Sequence, residues 1–179
     1  MKHLPFVVVA AALVLTAGCG GSDGNDASGA DFNKADVTFA QDMTGHHTQA
    51  IEMARLASSR AVNADVKDLA ERIEAAQGPE ISRMKGWLED WDEPMSSGDG
   101  MAGNGMMTEA EMGQLMDAKG PQFDMMFLEM MTEHHKGAIE MAKTELADGK
   151  NADAKKLAQA IIDAQTTEVA EMKALLKAV

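Results

Sequence analysis

Four histidines, arranged as two adjacent pairs, are the residues of this chain best suited to chemistry. His46-His47 lies in the segment MTGHHTQAIEMA, and His134-His135 lies in MTEHHKGAIEMA, a near-copy 88 residues further along the chain. Each segment also carries two methionines, and imidazole together with thioether groups binds soft metal ions such as Cu(I) and Ag(I). The pattern therefore predicts metal binding on a duplicated scaffold. The candidate ligands are His46, His47, His134, His135, Met43, Met53, Met131 and Met141.

The neighbours of the histidines favour binding over catalysis. A di-iron site in a helical bundle needs inward glutamates and a Glu-x-x-His step, but Met43 and Met131 stand at the third residue before each pair. No serine, cysteine or lysine is duplicated beside the histidines to act as a nucleophile. Thioethers are also poor ligands for zinc, calcium and magnesium. We expect a non-enzymatic protein, with a ferritin-like di-metal oxidase as the weaker alternative.

The repeat that carries the histidines predicts the fold. It aligns residues 36–88 with residues 124–176 without a gap. Apolar residues recur at steps of three and four in each copy, which predicts two amphipathic helices and hence a helical hairpin. Two such hairpins bury their apolar faces by pairing, so we predict an all-α four-helix bundle. The predicted helices span 34–60, 64–91, 122–147 and 152–178.

Both histidine pairs lie near the middle of a predicted helix, so we expect them to meet at mid-height in the bundle. Adjacent helical residues diverge by about 100°, which leaves two arrangements open: a shared site using one histidine of each pair, or two separate sites. Gln77 and Gln165 fall on the apolar faces of the partner helices. They either support the imidazoles by hydrogen bonding or tie the helices together. Pro79 predicts a kink in the second helix rather than its end.

A linker rich in glycine and methionine, residues 92–122, joins the two repeats. It contains one predicted short helix, 109–118, begun by the capping box Thr108-x-x-Glu111. The linker is long enough for an up-down-up-down chain or for a crossover along the bundle, and both remain open. Methionines in and after it are either auxiliary metal ligands or parts of a flexible lid. The auxiliary candidates are Met101, Met106, Met107, Met126 and Met130.

The N-terminal region predicts export and anchoring. Residues 1–19 resemble a lipoprotein signal peptide that ends at Cys19, the only cysteine, which would then be lipidated. Residues 20–31 read as a flexible tether, and residues 32–179 as the His/Met bundle domain. The net charge of -13 argues against nucleic acid as a partner. We expect an extracytoplasmic protein held at the membrane by its lipid.

The doubled motif M-x-x-H-H-x-x-A-I-E-M-A also resembles that of a known family. With Phe123-Asp124 and F-L-x-M-M at 127–131 before the second copy, residues 32–178 resemble the domain-of-unknown-function 305 family. That family includes periplasmic copper-binding proteins of the CopM type. The resemblance implies a ferritin-like four-helix bundle and, for CopM-type members, copper or silver binding through the motif histidines and methionines.

We therefore expect a copper-binding lipoprotein that serves metal sequestration, resistance or delivery. Cu(I) is favoured, with Ag(I) as its mimic and Cu(II) as a further possibility. The alternative from another class is a metal-independent helical interaction module whose histidines respond to pH.

Overall fold

In the part of the chain that the structure describes, four long helices form a bundle and one short helix lies in the linker. The computed structural model describes residues 31–96 and 103–178, so the signal peptide, the tether up to residue 30 and Met101 lie outside the described residues. Within this part of the chain, no helix is both long and apolar enough to cross a membrane. The helices are α1 (Lys34–Arg60), α2 (Ala64–Asp90), α3 (Glu109–Asp117), α4 (Pro121–Asp148) and α5 (Ala152–Leu175).

The predicted helices are confirmed, with small shifts at their ends. α2 continues through Pro79. Pro121 forms the first residue of α4, where its missing N–H costs nothing. The side chains of Asn63 and Asn151 accept hydrogen bonds from the first-turn amides of α2 and α5. The capping box of Thr108 and Glu111 begins α3 as predicted.

The linker makes a crossover, which settles the question that the sequence left open. Gly120 N donates to Arg60 O over 2.8 Å, so the start of α4 lies beside the end of α1. Asn33 Nδ2 donates to Asp148 O over 2.9 Å, so the start of α1 lies beside the end of α4. α1 and α4 are thus antiparallel. Because α2 ends near the start of α1, the linker must travel the length of the bundle to reach α4.

Two buried aspartates join the hairpins. Asp36 in α1 accepts hydrogen bonds from the backbone of Asn151, at 2.8 Å, and of Lys150, at 3.0 Å. Asp124, its equivalent in α4, accepts from Asn63 at 2.9 Å and from Val62 at 3.2 Å. Each copy therefore holds the inter-helix turn of the other, which fixes the antiparallel register. Both aspartates also lie in the first turn of their helices, where a negative charge is favourable.

Small residues allow α1 and α4 to approach closely on both sides of mid-height. Ala138 and Ala142 share a buried cluster with Met43 at one end of the bundle. Ala50 and Ala54 share a second cluster with Met131 at the other end. The histidine pairs lie between the two clusters along α1 and α4.

Candidate metal centre

His46 of α1 and His134 of α4 meet at the middle of the bundle, and we call them the central pair. Their ring centroids are 3.7 Å apart and the ring planes are inclined by 39°. Each residue is only 1% exposed. This contact follows from two mid-helix positions on antiparallel helices of nearly equal length, 27 and 28 residues. The prediction that the histidine pairs meet at mid-height is confirmed.

His47 and His135, the flanking pair, turn away from this contact toward the partner helix of their own hairpin. His47 Nε2 lies 2.8 Å from the Glu80 carboxylate on α2, and His135 Nε2 lies 2.7 Å from the Glu168 carboxylate on α5. Sequence reasoning did not single out these glutamates. The signal was available, because they occupy equivalent positions in the repeat and each follows its histidine by 33 residues.

The central pair is uncharged at neutral pH. Burial lowers the pKa of His46 to about 4, against a smaller raising effect of its hydrogen bond to Asn104, and His47 and His135 lower it further. Burial and the neighbouring imidazoles also lower the pKa of His134 well below its ordinary value. Neutral imidazoles keep the lone pair that a metal ion requires. The central pair can therefore bind a cation without first losing protons.

Four buried ring nitrogens have no hydrogen-bond partner in the described part of the chain. They are His46 Nδ1, His47 Nδ1, His134 Nε2 and His135 Nδ1. Leaving a buried polar atom unpaired costs about 1–3 kcal/mol, so four of them at one level need a reason. An ion that accepts nitrogen lone pairs would satisfy the two of the central pair, His46 Nδ1 and His134 Nε2.

The donor set fits an ion that needs few ligands. Among the described residues, no group of three or more His, Cys, Asp or Glu side chains converges into a metal cage. The available donors are imidazoles in pairs, with thioethers nearby in the sequence. Soft ions such as Cu(I) accept such small sets of nitrogen and sulfur donors. Imidazole and thioether donors therefore suit a soft ion such as Cu(I).

The four motif methionines divide between the two ends of the bundle. Met43 is fully buried in one core cluster, and Met141 packs, half-buried, against the same cluster. Met53 and Met131 are fully buried in the other. Each end thus holds one motif methionine from each copy, one on either side of the central pair. The structure brings the central histidines together but spreads the methionines around them.

Gln77 and Gln165 are buried, each 3% exposed, and their side-chain oxygens have no hydrogen-bond partner. The flanking imidazoles are held instead by Glu80 and Glu168. The predicted support by the glutamines is therefore provided by the glutamates at the flanking rings. A role of the glutamines toward the central pair stays a prediction.

Linker residues 103–107, the strap, cover the central pair. His46 Nε2 donates to Asn104 O over 2.9 Å. Gln49 binds the backbone of Met107 through two hydrogen bonds of 2.8 Å. The strap lies so close to α4 that a Cβ on Gly137 would stand 1.5 Å from Asn104 O. The strap therefore closes the seam between α1 and α4 at the level of the imidazoles.

The four auxiliary methionines within the described residues are half-buried, and three of them pack at the end of the bundle that contains Met131. Met107, Met126 and Met130 are half-buried against the cluster that contains Met131, and Met106 is half-buried in the strap. None of them shares the full burial of the motif methionine Met53.

Fold and site together define a duplicated helical bundle with a buried candidate centre for a soft metal ion. Residues 36–176 match the family described as Domain of unknown function (DUF305), and the chain belongs to that family. No curated protein matches the chain in sequence.

Solved structures of other proteins share the fold. A putative secreted DUF305 protein from Streptomyces coelicolor is 37% identical, with a TM-score of 0.76 over 80% of this chain and 92% of that one. CopM in its Cu(II)-bound form is 32% identical, with a TM-score of 0.71 over 79% of this chain and 95% of that one. CopM was also solved in Cu(I)-bound and Ag-bound forms. The predicted all-α bundle and family are confirmed.

Proposed function

We propose that the protein binds copper, as Cu(I), at the central pair, for sequestration, resistance or delivery. The observation that carries the proposal is the set of buried ring nitrogens without partners, His134 Nε2 and His46 Nδ1 foremost. Similarity to CopM, whose structures contain copper and silver, supports the same class of ion. Met43 and Met131, one turn before the central pair, are the thioethers best placed to add to the imidazoles.

In this proposal, the flanking pair, His47 and His135, supports metal binding at the central pair. A carboxylate that accepts from one ring nitrogen of a histidine fixes the ring and raises the basicity of the other nitrogen. Glu80 and Glu168 accept a hydrogen bond from Nε2 of His47 and His135, respectively. The lone pair on Nδ1 of each ring is then free to bind a metal ion. The flanking rings are thus either additional ligands or electrostatic support for a central ion.

We also propose that the protein works outside the cytoplasm, attached to the membrane through lipid on Cys19. The leader sequence and the polar residues that follow it support this location, and the S. coelicolor relative is described as secreted. The charge of -13 makes the surface attractive to cations in general.

An anaerobic Cu(I) titration against a competing chelator at neutral pH tests the proposal. We expect sub-micromolar binding by the native chain and its loss in the double variant His46→Ala/His134→Ala. Lys136→Ala, which changes an exposed neighbour of the motif, is the matched control and should bind as the native chain does. Binding weaker than micromolar in the native chain, or unchanged binding in the double variant, would refute the proposal.

The alternative functions predict different results. A metal-independent interaction module predicts no tight copper binding. Its pH response would have to lie well below neutrality, because burial lowers the pKa of His46 to about 4. A di-metal oxidase predicts iron-dependent consumption of oxygen. We propose binding over catalysis because the described carboxylates contact the flanking rings singly, as Glu80 does, instead of clustering.

A further inference from the structure

Three methionines line a single groove on the linker side of the bundle, which we call the methionine groove. Met107 follows the strap, while Met112 and Met116 are one turn apart on α3. The groove has a volume of about 550 Å³, and Leu56 of α1 forms part of its floor. Met116 is 46% exposed, whereas the neighbouring Leu115 is fully buried. Met107 and Met112 also pack, half-buried, against the core cluster, so the groove exposes only part of these two side chains.

The chemistry of the groove suits a soft monovalent cation. Thioethers bind Cu(I) and Ag(I) and discriminate against hard ions. Methionine side chains are flexible enough to converge on an ion from separate backbone positions. Glu52 and Glu109 also line the groove and make it attractive to cations. Arg55, its one lining cation, is held by Glu74 at 2.8 Å.

The methionine groove is linked to the central pair through Gln49. This residue lines the groove and holds the backbone of Met107, and it follows His46 by less than one helical turn. His46 in turn donates to Asn104, three residues before Met107 in the linker. An ion in the groove therefore lies beside the segment that covers the imidazoles.

We propose that Met107, Met112 and Met116 form a second, solvent-facing site for Cu(I) or Ag(I), from which the ion passes to the central pair. The proposal extends the proposed function but does not depend on the central pair for binding. The groove should hold silver even when the central imidazoles are removed. It should bind more weakly than the buried centre, because its ligands are partly hydrated.

Silver titration of protein labelled with ¹³C at the methionine methyl groups tests this site. Leucine replacements, which conserve volume closely, assign the signals of Met107, Met112 and Met116. We expect the three signals to shift together and to saturate with one equivalent of Ag(I) in His46→Ala/His134→Ala. The signals of Met95 and Met125, which are 41% and 44% exposed outside the groove, are internal controls and should stay in place.

Three other outcomes would each show that the methionine groove is not a separate metal site. Shifts of Met95 and Met125 at the same silver concentration would mean nonspecific thioether binding. Shifts that need the central pair would mean that the groove only reports the buried centre. No shift in either protein would mean no site. Failure of the proposed function alone looks different: the central-pair variant then binds Cu(I) as the native chain does, while the three signals still shift with silver.

Discussion

The two halves of the molecule are copies in backbone but differ in how they meet the linker. Gln49 on α1 and Gly137 on α4 occupy equivalent positions of the repeat. Gln49 reaches out and holds Met107, whereas Gly137 leaves the space that Asn104 needs. As a result only His46 of the central pair is bound by the strap. The repeat places two equivalent imidazoles at the middle of the bundle. They differ in their contacts, because the strap binds His46.

The same difference extends to the ends of the bundle. At one end α3 covers the helices and buries Leu115 in the core. At the equivalent end a groove of about 340 Å³ remains open, lined by Phe39, Met141 and Glu145 among others. Glu145 stands where the first copy has Ala57. A repeat can therefore preserve its buried centre while its surfaces diverge, because only the centre requires both copies.

The largest expected effect concerns whether the halves share one ion. If they do, His46→Ala and His134→Ala should each lower copper affinity by about 100-fold or more, above the range typical of residues behind the ligands. The total amount of tightly bound copper should then fall to near zero in either variant. Equilibrium dialysis against a chelator gives both quantities. A loss of half the bound copper in each variant would mean two independent sites.

A pH titration of the copper-free protein measures the burial of the central pair. The folded pKa of His46 is about 4, below its ordinary 6.5, so the unfolded chain binds more protons between these values. Stability should be full above pH 6.5 and should fall by about 3 kcal/mol as the pH drops to 4. Urea unfolding at several pH values checks this. His46→Gln should lose the share of the slope that His46 contributes, while His134, whose pKa burial also lowers, keeps its own share. An unchanged slope would contradict the burial of a neutral ring at His46.

The meeting of the histidine pairs was predictable because both lie at mid-helix in a gapless repeat. Which imidazole faces its counterpart was not, since it depends on helix rotation set by packing around Ala50 and Ala138. The contact of His47 with Glu80 needs the register between two helices, which the apolar pattern does not specify. The crossover could not be predicted either, because the linker length allows both directions of α4.

Gly137→Ala tests the contact that makes the halves unequal. The new methyl group would overlap Asn104 O, so the strap must lift, and we expect a loss of about 2 kcal/mol of stability. The amide of Met107, bound by Gln49, should lose protection from hydrogen exchange. Gly113→Ala is the matched control: its Cβ meets nothing within 4 Å, and helix propensity predicts a gain of up to about 1 kcal/mol. If the Met107 amide keeps its protection in Gly137→Ala, the strap does not pack against residue 137.

The smallest expected effect comes from Glu145, the acid that the first copy lacks. Burial, and then the neighbouring carboxylate of Asp36, raise the pKa of Glu145 to about 8 from its ordinary 4.5. The folded chain thus holds a proton that the unfolded chain releases, so this residue costs stability increasingly as the pH rises from 4.5 to 8. Glu145→Gln should stabilise the protein at pH 8 by about 1 kcal/mol, because the amide stays neutral where a buried carboxylate, only 1% exposed, is costly to ionise. Thermal unfolding at pH 8 and pH 4 tests this, and a gain of equal size at both pH values would assign the effect to packing instead of charge.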